Sequence, residues 1–305
     1  MWVKDETGNV SGSHKARHLM GILLHLEIVE ALGLMPRDER RPLAIASCGN
    51  AALAAAVVAA AGGRRLRVFV PPDAEPAVLE RLRALDAEIT VCPRSPELPP
   101  GDPCYHRFHE AVALGALPFC CQGPDNALTI QGGQTLGYEI AWSGEPPPDR
   151  IFIQVGGGAL ASSSAQAFAD AAALGALPRV PAIHAVQTRG CAPLSRAYER
   201  VAARLGEGLG VDEALAQAAA HRASAMWPWE EEPRSAAHGI LDDETYDWLA
   251  IVRGMLKSGG SPVVVDEETL RRAHALAQGA AGIPACVTGA AGLAGLLAQM
   301  EQRPE

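Results

Sequence analysis

Lysine is nearly missing from this chain. Lys4, Lys15 and Lys257 are the only lysines among 26 basic residues, and the rest are arginine. A surface cation is normally written as arginine here. Lys15 closes the run Val10-Ser11-Gly12-Ser13-His14-Lys15, a small-residue turn before an apolar helical stretch, and reads as kept for its primary amine. Long apolar runs are missing too. Ala51–Ala61 is too short and too alanine-rich to span a bilayer, and no basic-then-apolar leader opens the sequence. The seven cysteines form no CxxC and no regular spacing. That is the pattern of reduced thiols in a cytoplasm, not of a disulfide framework. Positive charge is in deficit, and the net charge of -9 argues against nucleic acid as a partner. These absences predict a cytoplasmic protein with neither a membrane nor a nucleic-acid partner.

What is present is an apolar chain long enough to bury a large core in one or two domains. The patterning predicts strands at 43–47, 66–71, 88–92, 150–155, 182–187 and 262–266. It predicts helices at 15–32, 50–62, 76–86, 104–115, 128–142, 159–174, 193–205, 211–224, 243–257, 267–280 and 289–300. Alternating strand and helix argues for mostly parallel sheets covered by helices. Such sheets bind ligands at the C-terminal ends of their strands. Pro93–Pro103 and Trp227–Ser235 read as loops.

Two glycine-centred turns join the lysine turn. Ser47-Cys48-Gly49-Asn50 follows the apolar run Leu43–Ala46 and opens an alanine-rich helix, offering backbone N–H groups, a hydroxyl and an amide to an anion. Gly156-Gly157-Gly158-Ala159-Leu160 follows the strand-like Arg150–Val155, and consecutive glycines let backbone approach a phosphate at a helix start. Each turn alone reads as an ordinary tight connection in an α/β protein, and Lys15 alone as a solvated lysine.

The three in this order resemble the pyridoxal phosphate (PLP)-dependent fold type II enzymes, which include threonine dehydratases, threonine synthases, cysteine synthases and tryptophan synthase β chains. Lys15 with its lead-in Lys4-Asp5-Glu6-Thr7-Gly8-Asn9 resembles the family's lysine signature. Ser47–Asn50 resembles its substrate-carboxylate loop and Gly156–Leu160 its phosphate loop. Pro71 to Ile89, Gln131–Ile140 and Thr288-Gly289-Ala290-Ala291 are similar to further segments of the family, so nearly all of the chain takes part.

The resemblance implies an α/β fold: two open, mostly parallel three-layer αβα domains with PLP in the cleft between them, shortened at both termini. The large cofactor-binding domain would comprise 1–33 and 129–305, and the small inserted domain 34–128. Shortening is expected because the strand before the lysine, 2–5, starts at the first residue and the chain stops at Glu305 after its last helix. The resemblance implies that Lys15 holds PLP as a Schiff base and then serves as the base for the α-proton. It implies that Ser47, Cys48, Gly49 and Asn50 bind the substrate carboxylate, with Asn50 also reaching the ring hydroxyl. Gly156, Gly157, Gly158, Ala159 and Leu160 would hold the phosphate. Thr288 would face the ring nitrogen, where a neutral hydroxyl favours elimination or replacement over transamination.

The implied function is a PLP-dependent lyase, a threonine/serine dehydratase-like ammonia-lyase that acts on a small hydroxy-amino acid by β-elimination. The alternatives are a threonine synthase-like replacement on a phosphorylated amino acid, or a PLP-binding relative without turnover. Relatives are often dimers, and a homodimer is the assembly the resemblance allows. No metal is expected. Several positions depart from the family pattern. Cys48 replaces the usual Ser or Thr, and Ala51 stands where dehydratases carry His, as in threonine synthases. The Gly-Gly-Gly-Ala-Leu loop is dehydratase-like. His14 precedes the lysine where Phe is commoner.

Other groupings carry less. His106 and His109 lack a third metal ligand. Ser162-Ser163-Ser164 lacks a nucleophile elbow. Arg64, Arg65 and Arg67 read as a solvated edge, and Glu230-Glu231-Glu232 as a solvated loop. A nicotinamide enzyme using Gly156–Gly158 would need an acid after the next strand, which instead ends in Gln187 and Thr188.

Overall fold

The computed structural model describes residues 1–36, 40–95, 98, 99, 101–143 and 146–302. Residues 96, 97 and 100 of the expected loop 93–103 therefore lie outside the described residues, as does the end of the chain at 303–305. Among the described residues, seven strands form two sheets, every strand pair is parallel, and eleven α-helices accompany them. The contacts divide the chain into two compact units, Asp5–Gly133 and Met1–Lys4 with Gln134–Glu305. Residues 5–33 group with the four-stranded sheet because α1 (Lys15–Ala31) packs on α2 (Asn50–Ala61). The resemblance assigned them to the larger domain.

In the unit Asp5–Gly133 the sheet order is β3-β2-β1-β4. The strands are β1 (Leu43–Ala46), β2 (Leu66–Val70), β3 (Glu88–Val91) and β4 (Leu117–Pro118). Leu43, Ala44 and Ile45 are all buried, as are Val68, Phe69 and Val70. An unbroken apolar run of this kind belongs to a strand covered on both faces. Helices α2 and α4 (Pro103–Ala113) pack on β1 and β2, and α3 (Pro76–Ala84) packs on β3. Each fully buried leucine, isoleucine or phenylalanine contributes about 1.5–3 kcal/mol. Strand β4 was not legible in the sequence. It is two residues long and ends in Pro118, which has no N–H to give and so sits at the sheet edge.

The unit containing Gln134–Glu305 has the order β5-β6-β7: Arg150–Gln154, Ala182–Thr188 and Val263–Val265. Alternate residues serve different cores, as the two-residue period of a strand requires. Ile153, Val155, Ile183 and Ala185 pack with side chains of α6 (Ala159–Ala173), α7 (Pro193–Gly206), α8 (Val211–Ala220) and α9 (Trp248–Ser258). Val186 and Val265 pack with α10 (Glu267–Gly279) and α11 (Val287–Gln302). This unit is therefore helix, sheet and helix in layers. The helix α5 (Leu128–Ala141) carries the division between the units within its length.

Three expectations are corrected. Residues 1–6 form no strand: Trp2 and Val3 are 65% and 52% exposed, with no strand partner. The helix expected from 243 begins at Trp248. The five residues before it spend their backbone elsewhere, with Asp243 O accepting from Trp229 N and Asp247 N donating to Gly157 O. The basic cluster is not a solvated edge at Arg64, whose side chain is 1% exposed.

Arg64 and Arg40 grip Glu30 of α1, whose carboxylate is fully buried; Arg40 Nη2 donates at 2.6 Å and Arg64 Nη2 bonds the other oxygen. The Arg40 hydrogen bond holds the Glu30 carboxyl below its ordinary value, and Arg64 adds to it against the opposing cost of burial. A lowered value means the stabilisation is present above the ordinary carboxylate range and lost as pH falls through the folded-state value. Removing one partner of such a buried pair strands the other, so Glu30→Ala is expected to lower unfolding free energy by about 3 kcal/mol or more at neutral pH. Urea unfolding curves of both chains should show that gap, and show it narrowing below about pH 4.

Candidate active site

The lysine turn is held by its acidic lead-in. Glu6 accepts two bonds from Arg17, from Nε at 2.6 Å and Nη2 at 3.0 Å, and a third from Asn9 Nδ2 at 2.5 Å. Asp5 accepts from both the N–H and the hydroxyl of Thr7. Gly12 N donates to Asn9 O at 2.7 Å, and Arg17 N donates to His14 O at 3.0 Å. The bidentate Arg17–Glu6 pair closes an eleven-residue span and fixes where α1 starts. Lys15 is its first residue.

The three lysines differ in one respect. Lys4 pairs with Glu139 at 2.8 Å and Lys257 with Asp212 at 2.9 Å. The amine of Lys15 makes no ion pair or hydrogen bond among the described residues. Two imidazoles accompany it on α1. His14 and His18 meet edge to face, with ring centroids 5.7 Å apart. The His18 Nδ1–H donates to the carbonyl of Thr129 at 2.7 Å, which assigns the proton to Nδ1 and leaves Nε2 as an acceptor. Both Nε2 atoms are buried and without a partner among the described residues. Burial pushes His14 well below its ordinary value, with the Lys15 charge adding to it. The same two causes, in the same order, bring His18 down to about 3. Both rings are therefore neutral at pH 7, and neither competes with Lys15 for charge. Sequence inspection singled out His14 but missed His18; the i,i+4 spacing on one helical face was the available signal.

The helix crossing beside this turn explains one of the glycines in Gln131–Ile140. A Cβ on Gly132 would stand 2.4 Å from Arg17 O and 2.8 Å from His18 O. Only glycine lets α1 pass there.

In the same unit, β1 ends at Ala46 and α2 begins at Asn50. Ser47 N donates to Phe69 O, and the Ser47 hydroxyl accepts from Gly49 N at 3.4 Å. No side chain caps α2 and no acid occupies its first turn. The Asn50 amide is exposed and makes no hydrogen bond among the described residues. This is an open helix start, suited to a carboxylate. Cys48 is exposed, and its sulfur is a thiol.

The glycine turn lies in the other unit, between β5 and α6. Gly158 is left-handed, with φ 104°. Asp247 N donates to Gly157 O at 3.0 Å, and because the peptide is trans this turns the Gly158 N–H away from Asp247. The first backbone bond of α6 is Ser162 N to Gly158 O. The N–H groups of Gly157, Gly158, Ala159 and Leu160 meet no acceptor among the described residues, which is an anion nest at a helix start. Packing also demands these glycines. A Cβ on Gly156 would fall 2.2 Å from Asp242 Oδ2, on Gly157 2.9 Å from the Tyr246 ring, and on Gly158 2.6 Å from Ile251. Asp242 carried no sequence signal.

Thr288, in the first turn of α11, accepts from Gly239 N at 3.1 Å through its hydroxyl oxygen. Its own proton remains available to a neutral acceptor. Gln187 is 1% exposed. Its Oε1 accepts from Leu194 N and Ser195 N at the start of α7, and its Nε2 donates to Val155 O. It is a helix cap and does not offer itself to a ribose.

Free N–H groups for a phosphate and an unpaired amine for a carbonyl suit enzymes that carry a phosphorylated aldehyde. The chain belongs to the pyridoxal-phosphate dependent enzyme family, whose model matches residues 1–305. Its fold is that of the fold type II members, and pyridoxal phosphate is its cofactor. Among solved structures, a threonine deaminase from T.th. is similar at 22% identity and TM-score 0.69, covering 97% of this chain and 81% of that one. Serine racemase from Dictyostelium discoideum is similar at 18% and 0.69, covering 98% and 81%. An L-serine ammonia-lyase from Rhizomucor miehei is similar at 18% and 0.70, covering 99% and 82%. No curated protein matches. Among the described residues no helix is long and apolar enough to cross a membrane.

A histidine whose folded value is depressed stabilises fully above its unfolded value, about 6.5, and that contribution is lost as pH falls toward the folded value. His18 is therefore expected to show an unchanging neutral nitrogen spectrum in two-dimensional NMR from about pH 8 to 5, with Nδ1 protonated. A ring that titrates near its ordinary value contradicts this geometry.

Proposed function

We propose that this chain is a PLP-dependent lyase that removes the α-proton of a small hydroxy-amino acid and eliminates its β-hydroxyl, as an ammonia-lyase of the threonine/serine dehydratase type. The observation that carries the reading is Lys15: the one lysine without an ion pair among the described residues, at the head of a helix, beside two neutral imidazoles. When bound, pyridoxal phosphate supplies an electron sink for the charge left on the α-carbon. The chain's own groups do the rest. Lys15 Nζ takes the α-proton. The helix start at Asn50, with Ser47, Cys48 and Gly49, orients the substrate carboxylate. The N–H groups of Gly157, Gly158, Ala159 and Leu160 hold the phosphate. Thr288 would offer its hydroxyl as a hydrogen-bond donor to the ring nitrogen, and a neutral donor there would leave that nitrogen without a full positive charge.

The carboxylate loop gives a threonine synthase-like replacement some support, since Ala51 and the alanine-rich α2 lack the histidine of dehydratases. The triple-glycine loop favours elimination.

The test is the visible absorption of the purified protein with added pyridoxal phosphate, beside Lys15→Ala. A band in the wild type that the variant lacks is expected. Serine or threonine should then perturb the band and release ammonia with a 2-oxo acid. Perturbation by phosphorylated analogues alone would move the assignment to replacement. A folded wild type with a band but no product from any of these would leave a cofactor-binding relative without turnover.

A further inference from the structure

Helix α1 is apolar on two opposite sides. On one, Leu19, Ile22 and Leu23 are buried. On the other, Met20, Leu24 and Ile28 follow at every fourth residue and are 38%, 54% and 57% exposed. Leu32 continues the spacing at the helix end, 68% exposed, and Leu34 just beyond it is 73% exposed. A helix that is apolar all round is normally covered all round, and the chain leaves this ridge open. Exposed leucines that stand singly are ordinary, whereas five large apolar side chains in one row are not. The row is not a loose tail. Gly33 N donates to Glu30 O and Leu34 N to Val29 O, closing the helix end through the left-handed Gly33 with φ 70°. Arg40 and Arg64 hold Glu30 in the same turn. The surface is therefore fixed before anything meets it, and little order is lost on association.

We propose that this ridge of α1 is where a second copy of the chain docks. Each copy leaves open on the order of 500 Å² here, near the upper end of what a monomer exposes in one patch. Two copies face to face bury about 1,000 Å², which is where specific interfaces begin. The ridge is also complementary to itself. From Met20 onward α1 exposes one titratable side chain, His25. Glu27 is partly exposed, and Arg40 and Arg64 hold it. A strongly charged partner finds nothing to pair with, whereas the same apolar ridge turned about a two-fold axis meets its own kind. Side chains at every fourth position form the ridge that seats in the matching groove of another helix, with the axes crossing at about 50°. The net charge of -9 keeps copies apart elsewhere on the surface, which leaves an uncharged row as the place where they meet. A membrane surface fits less well, because a helix lying in lipid carries Lys and Arg along its polar flank and α1 has neither past Arg17. Lys15 heads the same helix, so the docked copy braces the element that carries it.

The test is the mass of the whole chain in solution, by sedimentation velocity at protein concentrations from about 0.1 to 100 µM. Wild type is compared with Leu24→Glu and Ile28→Glu. Leu114→Glu is the control, since it charges an exposed leucine at the end of α4 in the same unit. Wild type and the control should sediment as dimers at the upper concentrations. Each ridge variant should raise the dimer dissociation constant at least about hundredfold, because two-fold symmetry places the substitution in the interface twice. Far-UV circular dichroism checks that each variant is folded. Should a glutamate variant not fold, Leu24→Ser combined with Ile28→Ser carries the same expectation. A wild type that stays monomeric throughout overturns the proposal; if it then sediments with phosphatidylcholine vesicles, the ridge is a lipid contact instead. Dimers undiminished in both folded ridge variants also overturn it and put the interface on another face. None of these readouts needs cofactor or turnover, so the functional reading stands or falls separately.

Discussion

The lysine turn depends on the grip of Glu6 on Arg17. The two bonds between them close the loop from the lead-in to the first turn of α1 and determine where that helix begins. Lys15 needs such a fixed start, because the first residue of an unsupported helix frays. Among the described residues no acid pairs with its amine. Glu6 is already committed to Arg17 and Asn9, and Asp5 to Thr7. The carboxylates of the lead-in are thus occupied with holding the turn.

The same logic governs the charges around it. His14 and His18 are buried without a partner for Nε2 among the described residues, and burial keeps both neutral. Had either been protonated, the ammonium of Lys15 would face a like charge in a poorly solvated place. Deeper in α1, Glu30 does carry its charge inside the unit, and two arginines compensate it. One helix therefore holds an unpaired base at its head and a fully paired acid near its end. The head suits chemistry and the end suits anchoring.

Much of this was legible in the sequence. Strand β1 and the Val68–Val70 end of β2 announce themselves because parallel strands buried on both faces read as unbroken apolar runs. The glycine turns stand at the C-terminal ends of β1 and β5 because that is where a strand hands over to a helix. What was not legible depends on contacts between distant segments. Nothing local marks Asp243–Asp247 as irregular rather than helical; its backbone is claimed by Trp229 and Gly157. Arg64 reads as one of three solvated arginines, and only the fold brings Glu30 to it across 34 residues. The strand that the resemblance implies at 2–5 finds no edge to join among the described residues. Asp242 had no motif at all, since its relation to the glycine turn exists only in three dimensions.

The claim at the centre of this account is that one lysine of three carries the cofactor. Borohydride reduction in the presence of pyridoxal phosphate fixes the cofactor to whichever lysine bears it, and peptide mass mapping then identifies that residue. The account predicts modification at Lys15, with Lys4 and Lys257 protected by their ion pairs. Modification spread over all three, or concentrated at Lys257, would contradict it.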